Sequence, residues 1–422
     1  MLAALLCLAL AAAGSTASAQ GKDAFRVFVE GVWPEARDKG VSRATFDKAF
    51  AGVEADLSLP DLVLPGKTER DVKGQAEFTK TPAEYIDAAY LARLAEQGRK
   101  LAAEHRAVLD KIEQKIGVPR QYVLAIWGRE TAFGRHKATH YAIRALATQA
   151  YLGRRKELFR NELVFALKLL EDGIRTRENL TSSWGGAMGL TQFMPSQYYS
   201  VAYDLDGDGR KDIWNSVPDA LASTASQLRD KGWSTEQPWG LEVKLPAGKT
   251  CELEGPPQAR KLREWTKLGI ARVRGQAFPD HLLDTEAFVL TPGGAHGPAF
   301  LAFENYMVIK RYNMSDLYAV FVGNLADRIA GGEAFGASWG KVVQLSASGI
   351  AEIQQRLQAR GYAISKIDGK AGMNTRALIG AYQEASRLRV DCWPSAALLT
   401  HLRGAPAVKG GPGGQKSSLG GK

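Results

Sequence analysis

Apolar positions recur at helical spacing along most of the chain. Phe25, Phe28, Val29 and Val32 fall at i, i+3, i+4 and i+7, which predicts a helix near the front. Ser42 reads as the N-cap of a second helix over Arg43 to Phe50. From Thr81, with Pro82 at the first helical position, one long helix is predicted to run to about Ile116, carrying Tyr85, Ala88, Ala89 and Ala92 on one stripe. Gly117-Val118-Pro119 breaks it. In the helix that follows, Val123, Ile126, Trp127 and Glu130 share a face, so a carboxylate sits on the stripe that should meet a core or a cleft, just before a stop at Gly134.

Helical periodicity returns at Asn161 to Leu170, Ala220 to Leu228 and Tyr318 to Ile329. Between the last two, Trp239 to Leu245, Ala287 to Leu290 and Ala299 to Phe303 read as short strands, so a small β-rich insertion is predicted. Gly331-Gly332 and Gly336 mark a boundary near 331–345. A second module then follows, with Ile350, Ile353 and Leu357 on one helix face, a stop at Gly361-Tyr362, a turn at Asp368-Gly369 and a helix over Thr375 to Tyr382. At about 60 residues it lies near the lower limit for an independent core. Past Gly404 the composition turns to Gly, Lys, Ser and Pro, so 405–422 reads as a disordered basic tail. The fold class is mainly α, of the α+β kind.

One apolar run is long, Met1 to Gln20, but it is too short to span a bilayer. Leu2 to Ala13 resembles the apolar region of a signal peptide and Ala17-Ser18-Ala19 a cleavage site, so residues 1–19 are expected to be removed and the protein to be periplasmic or secreted. A basic start is missing, which leaves open a true start upstream and a buried helix as the other reading, and Cys7 follows Leu6 rather than a small residue, against a lipoprotein anchor. With 45% hydrophobic and 24% charged residues over 422, the rest is ordinary globular protein, neither disordered nor polytopic. The net charge of +10 favours acidic partners, yet no basic run interleaves with aromatics, so nucleic acid is not expected. Without the leader, Cys251 and Cys392 remain, open to a disulfide or to two thiols.

Three stretches carry chemistry. In Trp127-Gly128-Arg129-Glu130-Thr131-Ala132-Phe133-Gly134, apolar neighbours would raise the pKa of Glu130 toward that of a general acid; a structural Glu paired with a buried Arg is the alternative. In Ser182 to Pro195, three glycines within five residues allow close backbone approach. There Trp184 and Phe193 offer apolar faces for sugar rings and Gln192 both donates and accepts, although a tight packing loop would look similar. In Asp204 to Asp212, oxygen ligands at loop positions 1, 3, 5 and 9 (Asp204, Asp206, Asp208, Asp212) with glycine at 6 give a calcium-loop pattern. Arg210 supplies only its carbonyl at position 7. Asn215 stands where a bidentate Glu is usual, so Asp219 would close the shell.

Together, and in this order, these stretches resemble the lytic murein transglycosylase B family of bacterial cell-wall enzymes. The resemblance also rests on Gln192-Phe193-Met194-Pro195-Ser196, Ile213-Trp214, Pro218-Asp219-Ala220 and Arg311-Tyr312-Asn313 with Ser315-Asp316-Leu317-Tyr318. It implies a lysozyme-like catalytic domain over 22–335 with an inserted β subdomain and one EF-hand-like structural Ca2+ site, and no organic cofactor. It assigns Glu130 as catalytic acid and base, with Ser183, Gln192, Phe193 and Tyr312 lining a glycan groove. Residues 346–403 resemble a three-helix peptidoglycan-binding module, through Leu357, Gly361-Tyr362, Asp368-Gly369, Gly372, Thr375-Arg376 and Gln383. Departures are Gly185 where Ala is common, Ser226-Gln227-Leu228 for an Asn-Tyr pair, and Cys392 where the module usually has Gly.

Glycosidic cleavage through an oxocarbenium-like state ordinarily takes two carboxylates, and only one stands in a credible cleft motif. The resemblance selects internal attack by the sugar's own hydroxyl and a 1,6-anhydromuramyl product. A lysozyme-type hydrolase and a non-catalytic wall-binding protein are the competing readings. Peptidoglycan strands and cell-wall assembly proteins are the implied partners, and a monomer the implied state.

Overall fold

Residues 23–64, 79–248 and 251–405 are described by the structure, a computed structural model. The leader at 1–19 and, apart from Ala405, the tail lie outside the described residues. The chain divides into two units, one of residues up to Lys73 with Glu130–Gln227, the other of Gly74–Arg129 with Leu228 onward.

In the first unit, residues 23–30 are helical as the front periodicity predicts, and Ser42 caps Arg43–Phe50 by accepting from Thr45 N at 3.2 Å. The helices Ala142–Leu152 and Lys156–Glu171 carry the core, where Leu146, Leu163 and Leu167 meet Phe25, Val32 and Phe46 from the front. His140–Tyr141 pairs antiparallel with Thr181–Ser182 and so leads into the glycine-rich stretch. Pro195–Val201 and the helix Val217–Asp230, as far as Gln227, complete the unit.

In the second unit the long helix expected from Thr81 to Ile116 is three helices, Pro82–Tyr85, Ala88–Glu104 and Arg106–Ile116. The break has a local cause. Thr81 and Glu84 close a capping box on the first turn, and Asp87 then caps the next helix by accepting from Tyr90 N at 2.6 Å, leaving Ile86 non-helical. The β insertion is a five-stranded antiparallel sheet in the order Arg260–Lys261, Glu286–Leu290, Ala299–Ala302, Gly240–Lys244, Ala271–Arg272. Its three inner strands match the predicted ones; the two-residue edge strands are too short to show alternation. Trp265, Val289, Leu301 and Phe303 form its core.

The helix Asp316–Ile329 follows, capped by Ser315. Residues 330–346 carry no helix or strand. Helices Ala347–Gln358, Met373–Ala385 and Ala396–Gly404 then pack around Ile353, Leu357, Ile379 and Leu402. Gln354 Oε1 accepts from the backbone N–H of Asp368 (3.0 Å) and Gly369 (2.9 Å), and Gln383 Oε1 does the same for Asp391 (3.0 Å) and Cys392 (2.8 Å). Each buried glutamine thus fixes one turn. The matching slots are left-handed, Gly369 at φ 69° and Cys392 at φ 60°.

Cys392 is bonded to Cys251, which settles the open pairing as a disulfide. Gly380 makes room for it, since a Cβ there would lie 2.5 Å from the Cys251 sulfur and 2.9 Å from that of Cys392. Among the described residues no helix is long and apolar enough to cross a membrane.

Candidate active site

Glu130 stands in the last turn of the helix Arg120–Thr131 and is half-buried. The helix ends abruptly, because Ala132, Phe133 and Gly134 all take left-handed φ, at 50°, 60° and 80°. Two of the three carry a Cβ, a conformation costing of order 1–2 kcal/mol per residue, so other contacts must hold it. Thr131, 3% exposed, supplies them. Its hydroxyl donates to Leu190 O at 2.6 Å and accepts from Gly134 N at 3.0 Å, while its carbonyl accepts from His136 N at 2.9 Å.

Leu190 lies in the glycine-rich stretch, which is a compact turn. Met188 and Phe193 exchange two backbone hydrogen bonds of 2.8 Å, and Leu190 N donates to Ile213 O at 2.9 Å. Gly189 is required there, since at φ 73° a Cβ would lie 2.6 Å from Ile213 O. Ser183 closes the preceding turn: its N–H donates to Ala187 O at 2.8 Å and its Oγ accepts from Ala187 N at 3.2 Å. Gly185 has open space around it, so its departure from Ala changes no packing.

Gln192 is half-buried at φ 59°, with Nε2 donating to Gly189 O at 3.2 Å. Phe193 requires a correction. It is fully buried in the core of the first unit, so it offers no face to a sugar; the core of distant helices receives its side chain. Trp184 stays half-buried against Leu59, Leu62 and Ala145.

Glu162 pins the far end of the turn, accepting from Ser196 N at 2.9 Å and Ser196 Oγ at 2.7 Å. Burial pushes its carboxyl pKa up, against those two bonds. Sequence reasoning gave Glu162 no role. Within Lys156–Glu171 it reads as one more charged residue, and only the fold points it inward.

Asp204, Asp206 and Asp219 bring carboxylate oxygens within 4.8 Å of one another. Asp204 accepts from Gly207 N (2.6 Å) and Gly209 N (2.9 Å), and Asp219 from Leu205 N and Asp212 N, both at 2.9 Å. Asp219 is buried, and burial, with Asp206 and Asp204 adding repulsion, pushes its pKa up despite those bonds. Asp208 lies outside the cluster, its carboxylate taken by Arg210 N at 2.8 Å, and Asp212 caps Trp214 N and Asn215 N at 3.0 Å each. Leu190, through Ile213, adjoins this loop.

Glu130, Ser183, Gln192 and the acidic loop thus all belong to the first unit, whereas Tyr312 belongs to the second. Tyr312 is half-buried with its ring parallel to that of Tyr318, centroids 6.4 Å apart. It precedes Asn313, whose Oδ1 accepts from Ser315 N at 3.2 Å ahead of the helix cap.

Comparison with known proteins fits this architecture. Residues 24–327 match the family described as transglycosylase SLT domain, and residues 346–402 a putative peptidoglycan binding domain. Over 232 residues the chain is 31% identical to membrane-bound lytic murein transglycosylase B of Escherichia coli (strain K12), spanning 54% of this chain and 61% of that relative. Solved structures of SltB3 from Pseudomonas aeruginosa, in complex with NAG-anhNAM-pentapeptide and with NAG-NAM-pentapeptide, superpose with TM-scores of 0.79 and 0.80 at 40% and 39% identity. Each comparison covers 90% of this chain and 99% of that one. SltB1 from the same organism gives a TM-score of 0.57 at 28% identity, covering 72% of this chain and 98% of its own. The chain therefore belongs to the SLT transglycosylase family, with a lysozyme-like helical fold and a C-terminal peptidoglycan-binding domain.

Proposed function

We propose that this protein is a lytic transglycosylase that cleaves the β-1,4 bond between N-acetylmuramic acid and N-acetylglucosamine in peptidoglycan, with Glu130 as its proton shuttle. The observation that carries this reading is the arrangement of acids at the turn. Residues 182–196 contain no carboxylate, and the nearby Glu162 spends both oxygens on Ser196 while buried. Glu130, next to the Thr131 that bonds Leu190 of this turn, is the acid we assign to the reaction, and the turn itself supplies no second carboxylate for a two-carboxylate hydrolysis.

Glu130 first gives its proton to the glycosidic oxygen as the bond to the anomeric carbon breaks. The N-acetylglucosamine hydroxyl departs, and the C6 hydroxyl of the muramyl residue closes on the anomeric carbon. The Glu130 carboxylate then takes that hydroxyl's proton. No water is consumed, and the acid returns to its starting state. The half-buried Ser183 and Gln192 provide hydroxyl and amide groups for a substrate rich in both.

The acidic loop suits Ca2+. Three clustered carboxylates, one of them buried, repel one another without a cation. Asp204, Asp206 and Asp219 would hold the ion, with Asp208 and the Arg210 carbonyl as the remaining loop ligands, and the bound charge would hold the loop together. A wall substrate fits a periplasmic or secreted enzyme, and the C-terminal module would keep it on glycan strands.

Glu130→Gln tests the assignment, since it keeps shape and removes the proton. Lysis of purified sacculi by the wild type and not by this variant is expected; equal lysis by both would reject Glu130.

A further inference from the structure

We infer that Thr131 is a positioning residue for the reaction: its hydroxyl locks the helix end that carries Glu130 onto the glycine-rich turn. The inference rests on the role proposed for Glu130, and its evidence is geometric. The Thr131 hydroxyl donates to Leu190 O at 2.6 Å and accepts from Gly134 N at 3.0 Å. The first crosses 59 residues of chain to the turn that carries Gln192. The second holds the left-handed run Ala132-Phe133-Gly134, which would relax toward ordinary φ if nothing opposed it.

Leu190 is itself held from the other side, its N–H donating to Ile213 O at 2.9 Å next to the acidic loop. A single residue, Leu190, therefore meets the acidic loop through its N–H and the catalytic helix through its carbonyl. A displacement of about 1 Å at a reacting group can cost on the order of 100-fold in rate, so the joint matters most for an acid that must serve both proton transfers.

Thr131→Val keeps the shape and removes both hydrogen bonds, while Thr131→Ser restores the hydroxyl. On a soluble glycan strand, Thr131→Val is expected to lower kcat by roughly 10- to 100-fold with KM within about twofold of wild type. Thr131→Ser should recover most of the loss, and Glu130→Gln should be inactive. Full kcat in Thr131→Val beside an inactive Glu130→Gln would overturn the positioning role alone. Equal impairment of the Val and Ser variants, or a loss seen chiefly in KM, would also overturn it, as a packing effect. An active Glu130→Gln would overturn the reading of Glu130 instead.

Discussion

Arg376, on the second helix of the peptidoglycan-binding module, donates to Asp316 Oδ2 at 2.9 Å with both side chains almost wholly out of water, 3% and 6% exposed. The same guanidinium donates to Glu254 at 2.5 and 3.0 Å, and Thr291 N and Oγ1 complete that carboxylate at 2.9 and 3.0 Å. Burial opposes ionisation of Asp316, but the Arg376 and Lys310 charges outweigh it and hold its pKa at about 2. Every member of the cluster is hydrogen-bonded, so the ions are tolerable only as a set.

Removing Arg376 should therefore be costly. Arg376→Met leaves Glu254 buried with only Thr291 as partner, and about 3–5 kcal/mol of stability is expected to go with it. Chemical denaturation followed by tryptophan fluorescence reads the loss, to which Trp393 of the module contributes. A midpoint unchanged from wild type would mean the cluster holds nothing together.

The disulfide offers a second handle on the same region. It closes a loop of 141 residues, for which chain entropy gives about 4–5 kcal/mol, with native disulfides usually worth about 2–5. The double variant Cys251→Ala, Cys392→Gly keeps the left-handed slot comfortable, since glycine accepts φ 60° without strain. Its denaturation midpoint should match that of the reduced wild type, and both should fall below the oxidised protein. Coincidence of all three would show that the bond adds no stability.

Stability should also depend on pH through Asp327. Its carboxylate accepts from Trp239 Nε1 at 2.9 Å, and burial pushes its pKa up to about 7 against that bond and the Arg272 charge. The folded chain then binds this proton more tightly than the unfolded chain does. Its contribution to stability accordingly falls as pH rises from about 4 to about 7 and is level above that. In Asp327→Asn this part of the slope should vanish; an identical slope in variant and wild type would exclude Asp327 as its source.

Chelation probes the acidic loop. Removing Ca2+ should lower the melting temperature, and readdition should restore it, with about 3–4 kcal/mol available at 100 to 1,000 times the dissociation constant. Asp219→Asn should melt like the chelated wild type and bind Ca2+ more weakly by calorimetry. Absence of any heat of binding together with an unchanged melt would remove the site.

Much of this was legible from residue order alone. The helical periodicities, the Ser42 cap and the three inner strands follow from local spacing, because each is decided by neighbours in sequence. The split of the helix after Thr81 escaped that reading, since Asp87 works as a cap only once Ile86 has left helical geometry. Phe193 shows the limit on side-chain direction: an aromatic in a glycine-rich turn can face outward or inward, and the core of distant helices that receives it is a tertiary fact. Cys392 shows the reverse. A cysteine in a slot that usually holds glycine is a visible anomaly in sequence and Cys251 its one candidate partner after the leader, but the choice of disulfide over two thiols and the space at Gly380 appear only in three dimensions.

Mass analysis of the muropeptides released from sacculi tests the central claim most directly. Closure of the muramyl C6 hydroxyl on its own anomeric carbon predicts disaccharide-peptides lighter by one water than hydrolysis products and inert to borohydride. Fragments ending in a reducible N-acetylmuramic acid would contradict a single acid serving both proton transfers.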